Sequence, residues 1–361
     1  MTATAFPSSL RAPSSRRTLI VGTLVYLIAV LGAVVFVPDA KILQLATALA
    51  YALAILGLNL VSGYAGQISL GHSAFFGIGA YTSTILVTDH GLSIIATLPV
   101  GALIGFVVGI VGGLPALRLK GHYLGLVTLS FAVVFPLLIT RFGSLTGGVN
   151  GKLLHSAWVI PDGVPDFITQ TSINFVVVAA VTGIGILICR NFAKYGPART
   201  LTAIRDNETA AATSGINLSR QKTIAFAVSA AFAAVGGSMF VLVTGVVAPE
   251  TFGVFLGIQL LTGLLIGGSG TLIGPLIGGL VLAFLPTYTA DLIGGSGANM
   301  IYGALLVALM FLMPTGIAGG AAALYSRITK RRRPIPADHD STRPGIAPAT
   351  VPTESRGGAH V

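Results

Sequence analysis

Two places in the chain carry polar side chains in patterns that could do chemistry. The first is SGYAGQISLGHSAFFGIGAYTSTIL, residues 62–86. Gln67, Ser69, His72 and Ser73 lie there in a run interrupted by Gly63, Gly66, Gly71, Gly77 and Gly79 and free of Lys and Arg. The second is Arg190–Lys222, in which Arg190, Lys194, Arg199, Arg205, Arg220 and Lys222 stand against only Asp206 and Glu208. The first set can hydrogen-bond a polar solute. It holds no acid–base or metal constellation of the kind a membrane enzyme would need, and a lone His is more often a hydrogen-bonded structural residue than a proton carrier. The second set can form ion pairs with a partner. A single cysteine, Cys189, excludes an internal disulfide and a Cys-based metal cage, and no metal site is expected. GGVNGKL, residues 147–153, has the outline of a phosphate loop. Thr146, however, stands where the first Gly is required, and Leu153 replaces the Ser/Thr that would hold magnesium.

The elements that must position these residues are membrane spans. Of 361 residues 53% are hydrophobic and 9% charged, against roughly 25% charged in soluble domains. The net charge of +10 gathers at the two termini and in the polar block, which is the positive-inside pattern rather than a nucleic-acid surface. Spans are expected at 18–37, 42–61, up to 87, 94–115, 123–140, 173–188, 223–247, 255–267, 271–285 and 299–313, about ten in all by the length a bilayer requires. Residues 1–17 are then a cytoplasmic N-terminal segment and 18–317 the transmembrane domain. Residues 190–222 form a cytoplasmic loop within it, and 334–361 a disordered cytoplasmic tail. Residues 141–172, with Trp158, make a long outer loop. An even count puts both termini, the 118–122 turn and the 190–222 block on the same side.

Each polar stretch has two readings. Residues 62–86 are either close helix packing through small residues or a broken, re-entrant segment lining a pathway. The 190–222 block is either a solvated connector or a docking helix. Leu201, Ile204 and Ala211 fall on one helical stripe, Glu208 lies four residues beyond Ile204, and Gly215 sits where a C-terminal cap would. The expected spans hold almost no Asp, Glu, Lys or Arg, so the chain lacks a proton relay of its own. A pore-forming body without a motor remains, as either a driven permease or a self-standing channel or facilitator. GGSGTLIGPLIGG, residues 267–279, reads as a tight hinge between two spans.

NLVSGYAGQISLGHSAFFGIGAYT, LKGHYLGLVTLSFA, LTGGVNG, RTLTAIRDNETAAATSGINLSRQKTIAFAVSAAFAAVGGSMF, PETFG and IGGSGTLIGPLIGG occur in that order. This set resembles the membrane permease of ATP-binding-cassette importers for branched-chain amino acids, the longer of the two permease partners, over about residues 40–317. The resemblance implies a polytopic all-α bundle with two inverted halves, spans two to five and seven to ten, working by alternating access in a bacterial inner membrane. It implies a second permease subunit, two cytoplasmic ATPases that bind the ATP, and an external solute-binding protein, with no cofactor on this chain. It also assigns ATPase coupling to Arg199, Ile204, Arg205, Asp206, Glu208, Gly215 and Asn217. The polar groups Asn59, Gln67, Ser69, His72 and Ser73, which lipid cannot satisfy, are the expected solute path, and Gly267, Gly268, Gly270, Gly274 and Pro275 the expected hinge. Related permeases import urea or short amides. The sequence departs from the family at Asn207 and Ala212, where acids are common, at Val149, which replaces Pro or Ser, and at Ser269, which replaces an apolar residue.

Overall fold

The computed structural model describes residues 16–116, 122–154 and 169–293, together with 301, 303–306, 308 and 316–320. Most of the tenth expected span, the turn before 122, Trp158 and the 334–361 tail lie outside the described residues, as do residues 1–15. The rest is all-α, as expected. In chain order come α1 (Arg16–Phe36), α2 (Asp39–Leu58) with a π-helical continuation (Asn59–Tyr64), α3 (His72–His90), α4 (Ile94–Ala116), α5 (His122–Arg141) and a single turn α6 (Gly143–Thr146). Then follow α7 (Gln170–Lys194), α8 (Pro197–Asp206), α9 (Glu208–Thr213), α10 (Leu218–Thr244), α11 (Val254–Gly267) and α12 (Gly274–Ile293).

Among the described residues, five helices are long and apolar enough to cross a membrane: Asp39–Tyr64, Ile94–Gly113, Leu124–Arg141, Gln170–Lys194 and Leu218–Thr244. Ile20–Phe36 and Val254–Gly267 are apolar but shorter. Helix α3 occupies the third expected span yet contains His72, Ser73, Ser83 and Thr84, all with no exposed surface. Its solvent is the rest of the protein rather than lipid, and so it can afford polar side chains that a lipid-facing helix could not.

Helices α2 and α10 run side by side at the centre. Helix α10 packs on α2, α3 and α4, and α2 packs on α7, α10 and α12. Lipid tails are as apolar as leucine, so helices in a bilayer gain little from hydrophobicity and must gain from close approach. Small residues provide it. A β-carbon on Gly57 would lie 2.5 Å from Ser229 O, and one on Gly105 or Gly109 would lie 2.7 Å from the β-carbon of Ala234 or Ala230. Between these helices sits an aromatic cluster of Tyr51, Phe76, Tyr81, Phe135, Phe240 and Phe252, with ring centroids 5.4–6.4 Å apart. At the end of the bundle where α3 terminates, Lys152 pairs with Asp89 at 2.6 Å, and β1 (Lys152–Leu153) runs antiparallel to β2 (Val246–Val247). The glycine-rich 147–151 stretch is simply the turn that leads into that ladder.

Candidate functional site

The break after α2 begins as a widening of the helix. The ladder slips into π-helical form from Asn59 to Tyr64, and the backbone then runs without regular structure from Ala65 to Leu70. Such a stretch at membrane depth must find internal partners for its polar groups. Gln67 N donates to Val61 O at 3.0 Å and Ser62 Oγ to Gln67 O at 2.7 Å. Leu70 N donates to Thr128 Oγ1 of α5 at 3.1 Å. Gly66 turns the chain with φ +69°, a left-handed conformation that costs a side-chain-bearing residue roughly 1 kcal/mol or more.

Where α3 restarts, His72 is fully buried and saturated. Its Nδ1 lies 2.8 Å from Ser69 Oγ and its Nε2 lies 2.6 Å from Ser229 Oγ of α10, and Ser229 Oγ donates onward to Gly57 O of α2 at 2.5 Å. One imidazole thus ties three helices together. Of the five polar residues that the sequence assigns to a solute path, Ser69 and His72 spend their hydrogen bonds inside this network. Asn59, buried at 2% exposure, spends its own on the hinge: Nδ2 donates to Thr271 O at 2.8 Å, and Oδ1 accepts from Gly270 N at 2.7 Å. The other two differ. Gln67 Oε1 and Ser73 Oγ are buried without a hydrogen-bond partner, as are Gln44 Oε1 and Tyr81 OH, among the described residues.

The hinge is a glycine turn between α11 and α12. Gly268 and Gly270 take φ +116° and +76°, and Thr271 Oγ1 donates to Gly268 O at 2.8 Å while accepting from Gly274 N at 2.9 Å. A β-carbon on Gly267 would overlap Gly274 O, so the two helix ends touch backbone to backbone.

The polar block folds against the same end of the bundle. A stripe of Leu201, Ile204 and Ala211 implies one continuous helix. Instead two form, because Asn207 leaves helical geometry (φ −159°, ψ 105°) and its Oδ1 accepts from Ala210 N at 3.0 Å, capping α9. An Asp here would cap equally well. Gly215, at φ +83°, closes α9: its N–H bonds Ala212 O at 3.0 Å, and Ile216 N–H bonds Ala211 O at 3.1 Å. Asn217 caps α10 through Arg220 N at 3.0 Å. Both residues therefore shape the block.

The apolar stripe exists, but it faces inward. Leu201, Ile204 and Ala211 are buried in one cluster with Ala65 and Ala225, flanked by Tyr64 and Phe192. Glu208 likewise turns to its own chain, 2.6 Å from Lys222 Nζ of α10. Ile204 and Glu208 are thus taken up by internal contacts. The outward face consists of Arg199, Ala203, Asp206, Asn207, Thr209, Ala210, Ala212 and Thr213, mostly small and polar. Arg205 lies between the two worlds: Nη1 donates to Gly63 O at 3.0 Å while Nε and Nη2 reach Asp206 Oδ1 at 3.3 Å.

Sequence reasoning missed Ser229, Thr128 and Thr271, which supply partners; each is a common residue on a distant helix or turn, and no local pattern marks it. Lys222 stands in the basic set, but its partner proves to be Glu208 of the same chain. Among the described residues no group of three or more His, Cys, Asp or Glu could hold a metal ion.

Residues 42–314 match the family model described as branched-chain amino acid transport system, permease component. Among curated relatives, the high-affinity branched-chain amino acid transport system permease protein LivM of Salmonella typhimurium is 28% identical over 282 residues, covering 73% of this chain and 66% of LivM. LivH of Escherichia coli, described in the same terms, is 27% identical over 286 residues, 74% of this chain and 91% of LivH. The probable branched-chain amino acid transport permease protein LivM of Methanocaldococcus jannaschii is 24% identical over 324 residues. The chain thus spans just under two thirds of the Salmonella LivM it matches. No solved structure matches it.

Proposed function

The chain belongs to the permease-component family of branched-chain amino acid transport systems, and from that premise we propose that it is one permease subunit of an ATP-driven importer. The family is one of multi-pass membrane transport proteins, not of enzymes. In this reading the chain pairs with a second permease, takes solute from an external binding protein, and is driven by two cytoplasmic ATPases through α8 and α9. Both termini and the polar block face the cytoplasm of a bacterial inner membrane, and the bundle alternates access between its two sides. The solute is leucine, isoleucine or valine, as the relatives' descriptions suggest.

The observation that carries this reading is the construction of α8 and α9. A connector needs no anchorage. Here Leu201, Ile204 and Ala211 clamp the block to the bundle base, and the Glu208–Lys222 pair pins its second helix. A rigid outward face of small polar residues remains, of the kind that fits into a cleft on a partner. On the solute side, Gln67 and Ser73 hold the buried, unpartnered polar atoms that could meet an amino-acid head group when the path opens, with apolar walls for the side chain. Residues 267–274 form the pivot.

Single cysteines at Ala203, Thr209 and Ala212, in a Cys189→Ser background, should cross-link to the ATPase subunits. A cysteine at Ile204, which has no exposed surface, should not. Purification without ATPase subunits, with solute uptake by the chain alone, would establish a facilitator instead. Uptake of urea in preference to leucine, isoleucine and valine would move the chain to the related amide importers.

A further inference from the structure

We propose that Arg205 is a positioning residue that passes movement of α8 to the α11–α12 turn through a single backbone node, Gly63. This rests on the reading of α8 and α9 as the ATPase-coupled segment.

Three observations converge on Gly63. Its carbonyl accepts from Arg205 Nη1 at 3.0 Å, so the guanidinium holds the π-helical segment from the α8 side. Its α-carbon is pressed against the opposite side. A β-carbon there would overlap Asn59 Oδ1 and stand 2.7 Å from Gly270 N, so no side chain fits between the π-helix and the hinge. Asn59, on the same π-helical turn, then grips the hinge with both amide atoms, at 2.8 Å to Thr271 O and 2.7 Å to Gly270 N. The stem of Arg205 also lies over Gly66, where a β-carbon would overlap Arg205 Cγ, so the side chain spans the turn that opens the break.

The result is an unbroken line of contact from α8 through Arg205, Gly63 and Asn59 to Gly270 and Thr271. The segment in the middle is suited to relaying motion. A π-helix has an off-register hydrogen-bond ladder that can shift more easily than the α form and is often found at functional sites. Pushing α8 towards the bundle pushes Gly63 O. Gly63 has no side chain to yield, so the displacement reaches Asn59 and the hinge. Arg205 thereby has a role apart from the docking face: it works inward, through Gly63.

The test uses the whole assembly in proteoliposomes, with Ser269→Cys as a reporter on the hinge in a Cys189→Ser background. In the parent, ATP should change the labelling rate of this half-buried cysteine several-fold. In Arg205→Ala the ATPases should still copurify. The labelling response to ATP should vanish, and solute carried per ATP hydrolysed should fall about tenfold, the scale of one hydrogen bond from a charged donor. Asn59→Ala, which cuts the path beyond Gly63, should do the same, and the double variant should be no worse than the poorer single one. A hinge cysteine that still answers ATP in Arg205→Ala, or losses that multiply in the double variant, would overturn the relay. So would a parent whose uptake is ATP-driven while Ser269→Cys never responds. A parent that neither retains ATPases nor needs ATP would instead remove the reading on which the relay rests. Should Arg205→Ala fail to assemble, the Asn59→Ala result decides.

Discussion

Lys222 carries its ammonium into a site only 8% exposed, and Glu208, 2.6 Å away, is what makes that tolerable. Removing one partner of a fully buried pair costs about 3–5 kcal/mol. Glu208 is 41% exposed in its side chain, so water offsets much of this, and about 1–2 kcal/mol is expected. Glu208→Lys should therefore lower the thermal midpoint of the purified protein, and Glu208→Lys/Lys222→Glu should recover most of it. Equal midpoints for the single variant and the parent would show that the pair does not hold α9. A lone Glu208→Lys defect in transport then says nothing about docking, because its first effect is internal. His72 makes a parallel case. His72→Ala removes both ring hydrogen bonds and leaves a cavity among Phe75 and Phe226, so about 2–4 kcal/mol should be lost. Ser69→Ala, which ends one bond, should cost about 1 kcal/mol. Measured midpoints in the reverse order would mean that the imidazole is not the centre of the network. The sequence marks His72 as unusual, but Ser229 lies 157 residues away, so its partner could not be read from spacing.

Five of the expected spans and the break after α2 could be read from composition and glycine spacing, because both leave local signatures in the sequence. The polar block was half legible. Its stripe of Leu201, Ile204 and Ala211 is real, yet periodicity tells only that one face is apolar, not whether that face meets a partner or the same chain. The division of the block into two helices has a local cause. Asn207 offers its side chain to Ala210 N, and a cap of this kind competes with helix continuation. Glycines could be counted from sequence but not ranked, and the helix contacts now rank them. A β-carbon on Gly79 would overlap Ala234 O and one on Gly237 would overlap Phe76 O, both backbone atoms that cannot move aside alone. Gly22 and Gly32 in α1 have nothing within 4 Å. Gly79→Ala and Gly237→Ala should thus prise α3 from α10 and sharply reduce folded yield in detergent. Gly22→Ala and Gly32→Ala should be neutral or stabilising by up to about 1 kcal/mol. If all four behave alike, close packing between α3 and α10 is not what holds this bundle.

Across the whole molecule, the packing order crosses over. Helix α4 lies on α10, and α12 lies on α2, so helices far apart in the chain interlock around the central pair. In the proposed reading this interlocked bundle alternates access between its two sides. Alternating access of the kind proposed needs an energy source, and the chain's interior limits what that can be. Among the described residues Lys222 is the only buried Lys, Arg, Asp or Glu, and it is already paired near the start of α10. Among the described residues His72 is also the only buried imidazole, and both of its ring nitrogens are engaged by serines that belong to the fold. A proton carrier needs a titratable group that meets the path in one state and releases it in another. Neither residue is placed to do so. Uptake by the reconstituted assembly should therefore continue when an uncoupler collapses the proton gradient, and should stop when ATP or the external binding protein is withheld. His72→Gln should lower stability without making uptake any more or less sensitive to the gradient. Uptake that falls with the gradient while ATP is plentiful would mean that a proton does cross with the solute, and the importer reading would have to give way to a coupled carrier.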